Sequence, residues 1–205
     1  MQLRFATNLS VDQYIKGKAW KDAKLDHCPL HPNGGCKFAK HGTYSRKFPD
    51  GVQVARWYCW KGCTTFSMLP DCLSSRLPGT LIEVENVIKQ IENSSSQEAA
   101  ANNIRLDISL PSALRWMRLR LFLIRLTLNL LIELFPSLLK NCKPTFLSFK
   151  SVFSDEFVLP QLREFASQYL DVLPPPLGFG PRPGKKCKKN HFQHQTGTDP
   201  PKKTV

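Results

Sequence analysis

Five of the seven cysteines of this 205-residue chain fall between residues 28 and 72, and histidines stand among them at positions 27, 31 and 41. Cys28 and Cys36 enclose a Pro-Leu-His-Pro-Asn-Gly-Gly loop, and Cys59 and Cys63 enclose Trp-Lys-Gly. Thiolate and imidazole donors in two such groups form a closed set for Zn²⁺, which takes four ligands in structural sites. The spacing predicts Cys28, Cys36, Cys59 and Cys63 as those ligands, with Gly62 supplying the positive φ of a tight knuckle. Cys28-x-x-His31 is also a legitimate spacing, so His31 is an alternative to Cys36. His27 and His41 fit the pattern less well. Cys72 reads as a small hydrophobe, and Cys142 and Cys187 as free thiols. Cys187 with His191 and His194 lacks a fourth ligand and hydrophobic support, so it reads as solvated tail.

The elements that must hold these donors follow from the pattern between them. Lys37 to Phe48, a Pro49-Asp50-Gly51 turn and Val52 to Cys59 read as a hairpin, and Thr64 to Met68 as a short third strand. Two knuckles joined by a hairpin make the layout of a zinc ribbon. Such a segment is too small to bury a stable core, so a metal would have to supply much of its folding energy. Beyond it, Thr80 is placed to cap a helix over Leu81 to Glu92, and Gln97 to Ile104 reads as a second, short helix. Ser109-Leu110-Pro111-Ser112 opens a long third helix that runs to about Phe135, where Pro136 ends it. Leu159 to Leu173 is a possible further helix.

Along the third helix Arg115, Arg118 and Arg125 share one side, while Met117, Leu121, Ile124, Leu128, Leu131 and Phe135 cluster opposite. Leu119, Phe122, Leu126, Leu130 and Leu134 lie outside that stripe, so residues 119–135 need cover from another helix, a second copy of the chain or a partner. Arg118, Arg120, Arg125 and Glu133 interrupt the apolar run and argue against a membrane span. The N-terminal residues 1–19 carry Arg4 and no run of seven or more apolar side chains, which predicts no secretory signal, a cytoplasmic location and reduced thiols.

Charge sharpens the functional reading. The formal net charge is +13, from 29 Lys+Arg against 16 Asp+Glu. Residues 1–61 carry +7, residues 62–104 carry −3, residues 105–150 carry +6 and residues 151–205 carry +3. Two basic blocks thus flank an acidic stretch, an arrangement that attracts polyanions, nucleic acid first.

The combination of Cys28-Pro29, Lys40-His41-Gly42, Arg56-Trp57-Tyr58-Cys59 and Cys63-Thr64-Thr65-Phe66-Ser67 resembles the zinc ribbon at the N-terminus of bacterial insertion-sequence transposases. In those proteins an aromatic-x-Cys strand enters a knuckle and a Thr-Phe-Ser strand leaves it. The resemblance covers residues 26–72 and extends more weakly to about residue 135. It departs in spacing, because transposase ribbons usually carry Cys-x-x-Cys in both knuckles. The helical segment is similar to the helix-turn-helix that follows the ribbon in many transposases.

The expectation is an α+β chain: a leader at 1–25, a zinc-ribbon β-hairpin unit at 26–72, a helical, helix-turn-helix-like domain at 73–140, a poorly defined stretch at 141–173 and a disordered Pro/Lys-rich tail at 174–205. The resemblance implies a transposase-related, zinc-dependent DNA-binding protein. Lys37, Lys40, Arg46, Lys47 and Arg56 would track phosphates from the hairpin, and Arg115, Trp116 and Arg118 would enter a groove from the third helix. A two-metal nuclease needs three convergent carboxylates on a mixed core, and the acids here are few and scattered, so no catalytic role is expected. The alternative is a zinc-organised interaction subunit, homo-oligomeric or docked on a transposase through residues 119–135, or a truncated remnant of a mobile element.

Overall fold

The computed structural model describes residues 1–153 and 156–180, and it is an α+β fold. A four-stranded sheet is built from β1 (Gln2–Phe5), β2 (Phe38–Ser45), β3 (Gln53–Cys59) and β4 (Thr64–Pro70), in the order β1-β4-β3-β2. β2, β3 and β4 run antiparallel as a meander, and β1 pairs in parallel with β4, setting Gln2 opposite Ser67 and Phe5 opposite Pro70. The β2/β3 register shifts between Lys40 and Thr43, a bulge that bends the outer strand.

Alternation sorts the sheet into two buried faces. Ala55, Trp57 and Cys59 of β3 join Phe66 and Met68 of β4 on one side, together with Ala23 and Cys28. Val54 and Leu69 point the other way and meet Tyr14, Ala19, Val52 and Leu73. Residues 1–25, expected as a leader, therefore belong to this unit. They contribute β1, the helix α1 (Val11–Lys16) and a 3₁₀ turn at Ala19–Lys21. Ser10 and Gln13 close a capping box on α1, and the fully buried Tyr14 donates its hydroxyl to the Gln53 carbonyl at 2.9 Å. The signal for this was Tyr14 and Ile15 following a Ser-x-x-Gln cap, a segment too short to show helical periodicity.

The second half is helical: α2 (Leu81–Asn93), α3 (Gln97–Ile104), α4 (Leu110–Leu134), α5 (Pro136–Leu139), α6 (Phe146–Lys150) and α7 (Val158–Phe165). Thr80 and Glu83 form a capping box on α2, so the expected N-cap is present. Ala113, Met117, Leu121, Ile124, Leu128 and Leu131 of α4 form the spine of the core, against Leu81, Val84 and Ile88 of α2 and Phe146, Phe149, Leu159 and Leu162 from the C-terminal helices. Two acidic side chains of α2 set the start of the later helices. Buried Glu85 accepts from the Val158 and Leu159 amides at 3.0 and 2.7 Å and pairs with Lys89, and Glu92 accepts from the Phe146 amide. Carboxylates placed on orphan N-terminal amides satisfy donors that would otherwise be buried alone.

Halves meet at Arg163. Its guanidinium is fully buried and donates to four backbone carbonyls: Asp71 and Leu73 at the exit of the sheet, and Pro176 and Leu177 in the C-terminal segment. Burial pushes this side chain down to about 10. Arg4 of β1 adds ion pairs to Asp71 and Glu164, and the Ser75 hydroxyl donates to the Gly178 carbonyl. Residues 174–178, expected to start a disordered tail, are buried against this junction. Pro174, Pro175 and Pro176 lack amide donors, and the carbonyls of Pro174 and Pro176 are taken up by the Gly178 amide and by Arg163. Cys187, His191 and His194 lie outside the described residues.

Removing Arg163 leaves the Asp71, Leu73 and Leu177 carbonyls without its donors, while the Pro176 carbonyl keeps the Ser75 amide at 2.8 Å. Arg163→Leu should lower the unfolding free energy by about 3 kcal/mol, measured by urea denaturation, because each buried unsatisfied group costs roughly 1–3 kcal/mol. An unchanged midpoint would refute the role given to this residue.

Candidate metal centre

Beneath the end of the sheet, Cys28, His31, Cys36 and Cys59 converge, with their ligand atoms all within 4.8 Å of one another. His31 Nδ1 lies 3.6 Å from Cys28 Sγ and 3.4 Å from Cys59 Sγ. A tetrahedron built on Zn–S and Zn–N bonds of ~2.3 and ~2.05 Å has S···N edges of about 3.6 Å. Three sulfurs and one imidazole nitrogen at this spacing can hold a metal ion.

The local backbone explains why the donors meet. The His31 amide donates to the Cys28 carbonyl at 3.0 Å, and the Gly34 amide to the His31 carbonyl at 3.0 Å. Gly34 and Gly35 then take φ of 81° and 75°, a left-handed pair that turns the chain back and delivers Cys36 beside Cys28. The seven-residue gap of the first pair, irregular for a two-ligand knuckle, thus encloses a third ligand. Sequence reasoning set His31 and Cys36 as alternatives, and the structure brings both into the cluster.

Cys63 lies outside it. The side chain is exposed, and its thiol donates to the Trp60 carbonyl at 3.4 Å. Counting explains the displacement: Cys63 is four residues past Cys59, and the third position, where a Cys-x-x-Cys knuckle carries its second thiolate, is Gly62. The Gly62 amide instead donates to Cys59 Sγ at 3.2 Å, an outer-sphere bond that orients and stabilises a thiolate. A Cβ there would come within 2.7 Å of Leu30 Cδ1 and 3.3 Å of Cys59 Sγ, so the half-exposed Leu30 side chain would have to move aside. The positive φ expected at Gly62 falls on Cys63, at 44°.

Electrostatics favour ionised sulfur at part of the set. Burial raises the Cys28 thiol, but hydrogen bonds from His31, the Leu30 amide and the neighbouring cysteines outweigh it and bring Cys28 down to about 6. Burial and then the adjacent Cys28 and Cys59 push Cys36 up to about 11. Crowded thiols that cannot all ionise alone are a setting in which a bound cation relieves the repulsion. Cys72 is held up to about 11, chiefly by burial, away from the cluster. Cys142 packs against the helical core. His27 is exposed and outside the set, and His41 lies beside Tyr58 with ring centroids 5.6 Å apart.

The basic residues named from the sequence divide into two groups. Lys37, Lys40 and Lys47 are exposed on the hairpin, with Lys40 Nζ 5.7 Å from the Trp57 ring centre, and Arg115 and Arg118 are exposed on α4, Arg118 donating to Gln97. Arg46, Arg56 and Trp116 are committed to the fold. Arg46 donates to the Ser74 and Leu77 carbonyls at 3.0 and 2.6 Å, and burial lowers its pKa. Arg56 lies over the Tyr44 ring, 5.6 Å from its centre. Trp116 is half-buried with the Arg120 guanidinium 3.6 Å from its ring centre, so it is not a free side chain at the helix surface. Sequence reasoning passed over Trp60, which is 63% exposed at the tip of the metal loop and packs edge-on to Tyr58 at 5.1 Å. The signal was available: aromatics beside Lys37, Lys40 and Lys61 around a metal knuckle.

Among the described residues, no helix is long and apolar enough to cross a membrane.

Single substitutions of Cys28, Cys36 or Cys59 by Ser, and of His31 by Ala, should each lower the metal content of the purified protein. Cys63→Ser and Cys72→Ser should keep it at the wild-type level. Elemental analysis after desalting reads both outcomes, and metal loss on Cys63→Ser with retention on His31→Ala would reverse the assignment.

Comparisons with family models, with curated proteins and with solved structures find no match to this chain.

Proposed function

We propose that the chain is a zinc-dependent DNA-binding protein, related to transposases through the ribbon motif of residues 26–72 and acting without chemistry of its own. The observation that carries this reading is the pairing of a four-donor Cys/His cluster with an exposed basic and aromatic surface directly over it. Three thiolates and an imidazole suit Zn²⁺, a d¹⁰ ion that tolerates a tetrahedral site and does no redox chemistry. Zinc would fix the loop at 28–36 against β3 and so fix the tip on which Lys37, Lys40, Lys61 and Trp60 stand.

Exposed lysines neutralise phosphates without reading sequence, and an exposed indole offers a face on which a base can stack. The contribution of α4 is narrower than the full helix suggests. Arg115 and Arg118 are accessible, but the opposite side of the helix is core. In this reading they add phosphate contacts beside the ribbon. The chain binds nucleic acid in the cytoplasm as a positioning module, with catalysis, where needed, supplied by another protein.

A second reading is favoured by a separate observation. Leu119 and Phe122 are 51% and 54% exposed on α4, an apolar pair that a second copy or a partner subunit would cover. Light scattering of the zinc-loaded protein separates the two: stable self-association without DNA affinity supports this interaction role.

For the leading reading, fluorescence anisotropy with a labelled duplex should show binding that weakens steeply with salt. Combining Lys37→Glu, Lys40→Glu and Lys61→Glu should weaken binding by at least about tenfold and flatten the salt slope by roughly 2–3 units, since each phosphate contact contributes ~0.9. Chelation of zinc should abolish the specific part of the signal. Affinity that ignores salt, charge reversal and chelator alike would dismiss the proposal.

A further inference from the structure

The sheet unit and the helical unit border a half-open pocket of about 560 Å³, lined among others by Phe48, Glu83, Arg105, Asp107, Trp116 and Arg120. No residue of the metal cluster contributes to it. Its volume falls in the range of roughly 300–1,000 Å³ typical of small-molecule sites, and most of its wall is apolar.

One cation in that wall has no anionic partner among the described residues. Arg120 is only 5% exposed, yet among the described residues no carboxylate lies within 4.0 Å of it. It donates one long bond, 3.3 Å, to the Trp116 carbonyl, and its guanidinium lies flat enough on the Trp116 ring to stand 3.6 Å from the ring centre. Burial, and next the charge of Arg105, bring its pKa down to about 10, the direction expected when a cation is desolvated without a counter-ion. Arg105 also faces Trp116, at 4.8 Å, but its Nε and one terminal nitrogen are taken by Asp107 in a bidentate pair at 2.7 Å, so its charge is already met. Arg120 is the cation left over.

The donors that Arg120 leaves unused are not sealed in the core, so they are open to an anion entering the pocket. The planar fork of the guanidinium matches a phosphate with two parallel bonds. The rest of the cavity describes the remainder of the ligand. Phe48, half exposed, with Pro78, Val84 and Val87 forms an apolar wall against which a flat ring can lie. Glu83 uses Oε2 to accept from the Thr80 amide at 2.7 Å, which leaves its other oxygen as an acceptor for a ring N–H. We infer that this cavity binds a nucleoside monophosphate unit, its phosphate on Arg120, its base against Phe48 and Val87, and a base donor on Glu83. The unit is either a free nucleotide or the 5′-phosphorylated end of a strand. The site needs no metal and stands or falls apart from the ribbon surface.

Isothermal titration of the full chain with each of the four nucleoside 5′-monophosphates, with the matching nucleosides and with inorganic phosphate tests it. At least one monophosphate should bind at least about tenfold more tightly than its nucleoside or phosphate alone, because both ends of the cavity must be engaged. Arg120→Met, which keeps the stem and removes the charge, should weaken that binding at least tenfold while leaving the melting temperature equal or higher. Phe48→Ala, at a half-exposed position, should weaken it severalfold. A 5′-phosphorylated oligonucleotide that displaces the nucleotide, where its unphosphorylated twin does not, identifies a strand end as the occupant. Failure of both oligonucleotides to displace identifies the free nucleotide. The inference is overturned if no monophosphate binds at millimolar concentration, if Arg120→Met binds as wild type, or if Arg120→Met lowers the melting temperature, which would make Arg120 a structural residue.

Discussion

A single buried guanidinium joins the parts of this protein that sequence order keeps apart. Arg163 sits on α7, yet its donors serve carbonyls at residues 71 and 73 and at residues 176 and 177. Carbonyls are weaker partners than a carboxylate, but four of them take up four of the guanidinium's five N–H groups without importing a second buried charge. The sheet exit is thereby held to the helical core, and the chain beyond α7 is held over both. Arg46 repeats the device on a smaller scale by binding the carbonyls of Ser74 and Leu77 in the loop that leads into α2. Cationic side chains in this protein thus divide between those that organise backbone and those left to face solvent.

That division was only partly legible in the sequence. Helices α2, α3 and α4 were plain, because Thr80, Ser96 and Pro111 mark their starts and the apolar residues recur at helical spacing. The meander was plain too, from the Pro-Asp-Gly turn and the strands either side. What could not be read was anything set by contacts distant in sequence. β1 is four residues long and becomes a strand only because β4 offers it an edge. Glu85 looks like a surface acid on α2, but it is fully buried because helix α7, more than 70 residues later, starts on it. Arg46 and Arg163 have the composition of nucleic-acid contacts and the environment of core residues.

The metal centre shows the same limit at short range. Its residue types were clear from the clustering of cysteines, and the general place of the site with them. The choice among donors depended on the path of the backbone between Cys28 and Cys36, where a left-handed pair of glycines folds three ligands into one loop. At the other side, the one-residue difference between Gly62 and Cys63 decides which atom faces the cluster. Spacing rules built on paired knuckles assign two ligands to each side, and here the division is three and one.

Three donors from nine consecutive residues and a fourth from a strand make the centre an unequal chelate. The loop alone carries enough ligands to capture an ion before any sheet exists, since its donors are tethered at high effective concentration. Cys59 stands apart from the other three: by completing a coordination sphere it would latch the loop onto β3. Ion capture and docking would then be separable events, the first held within the loop, the second dependent on a formed strand. An ion held by this cluster would have three of its four ligands within residues 28–36 and would need β3 only for the last.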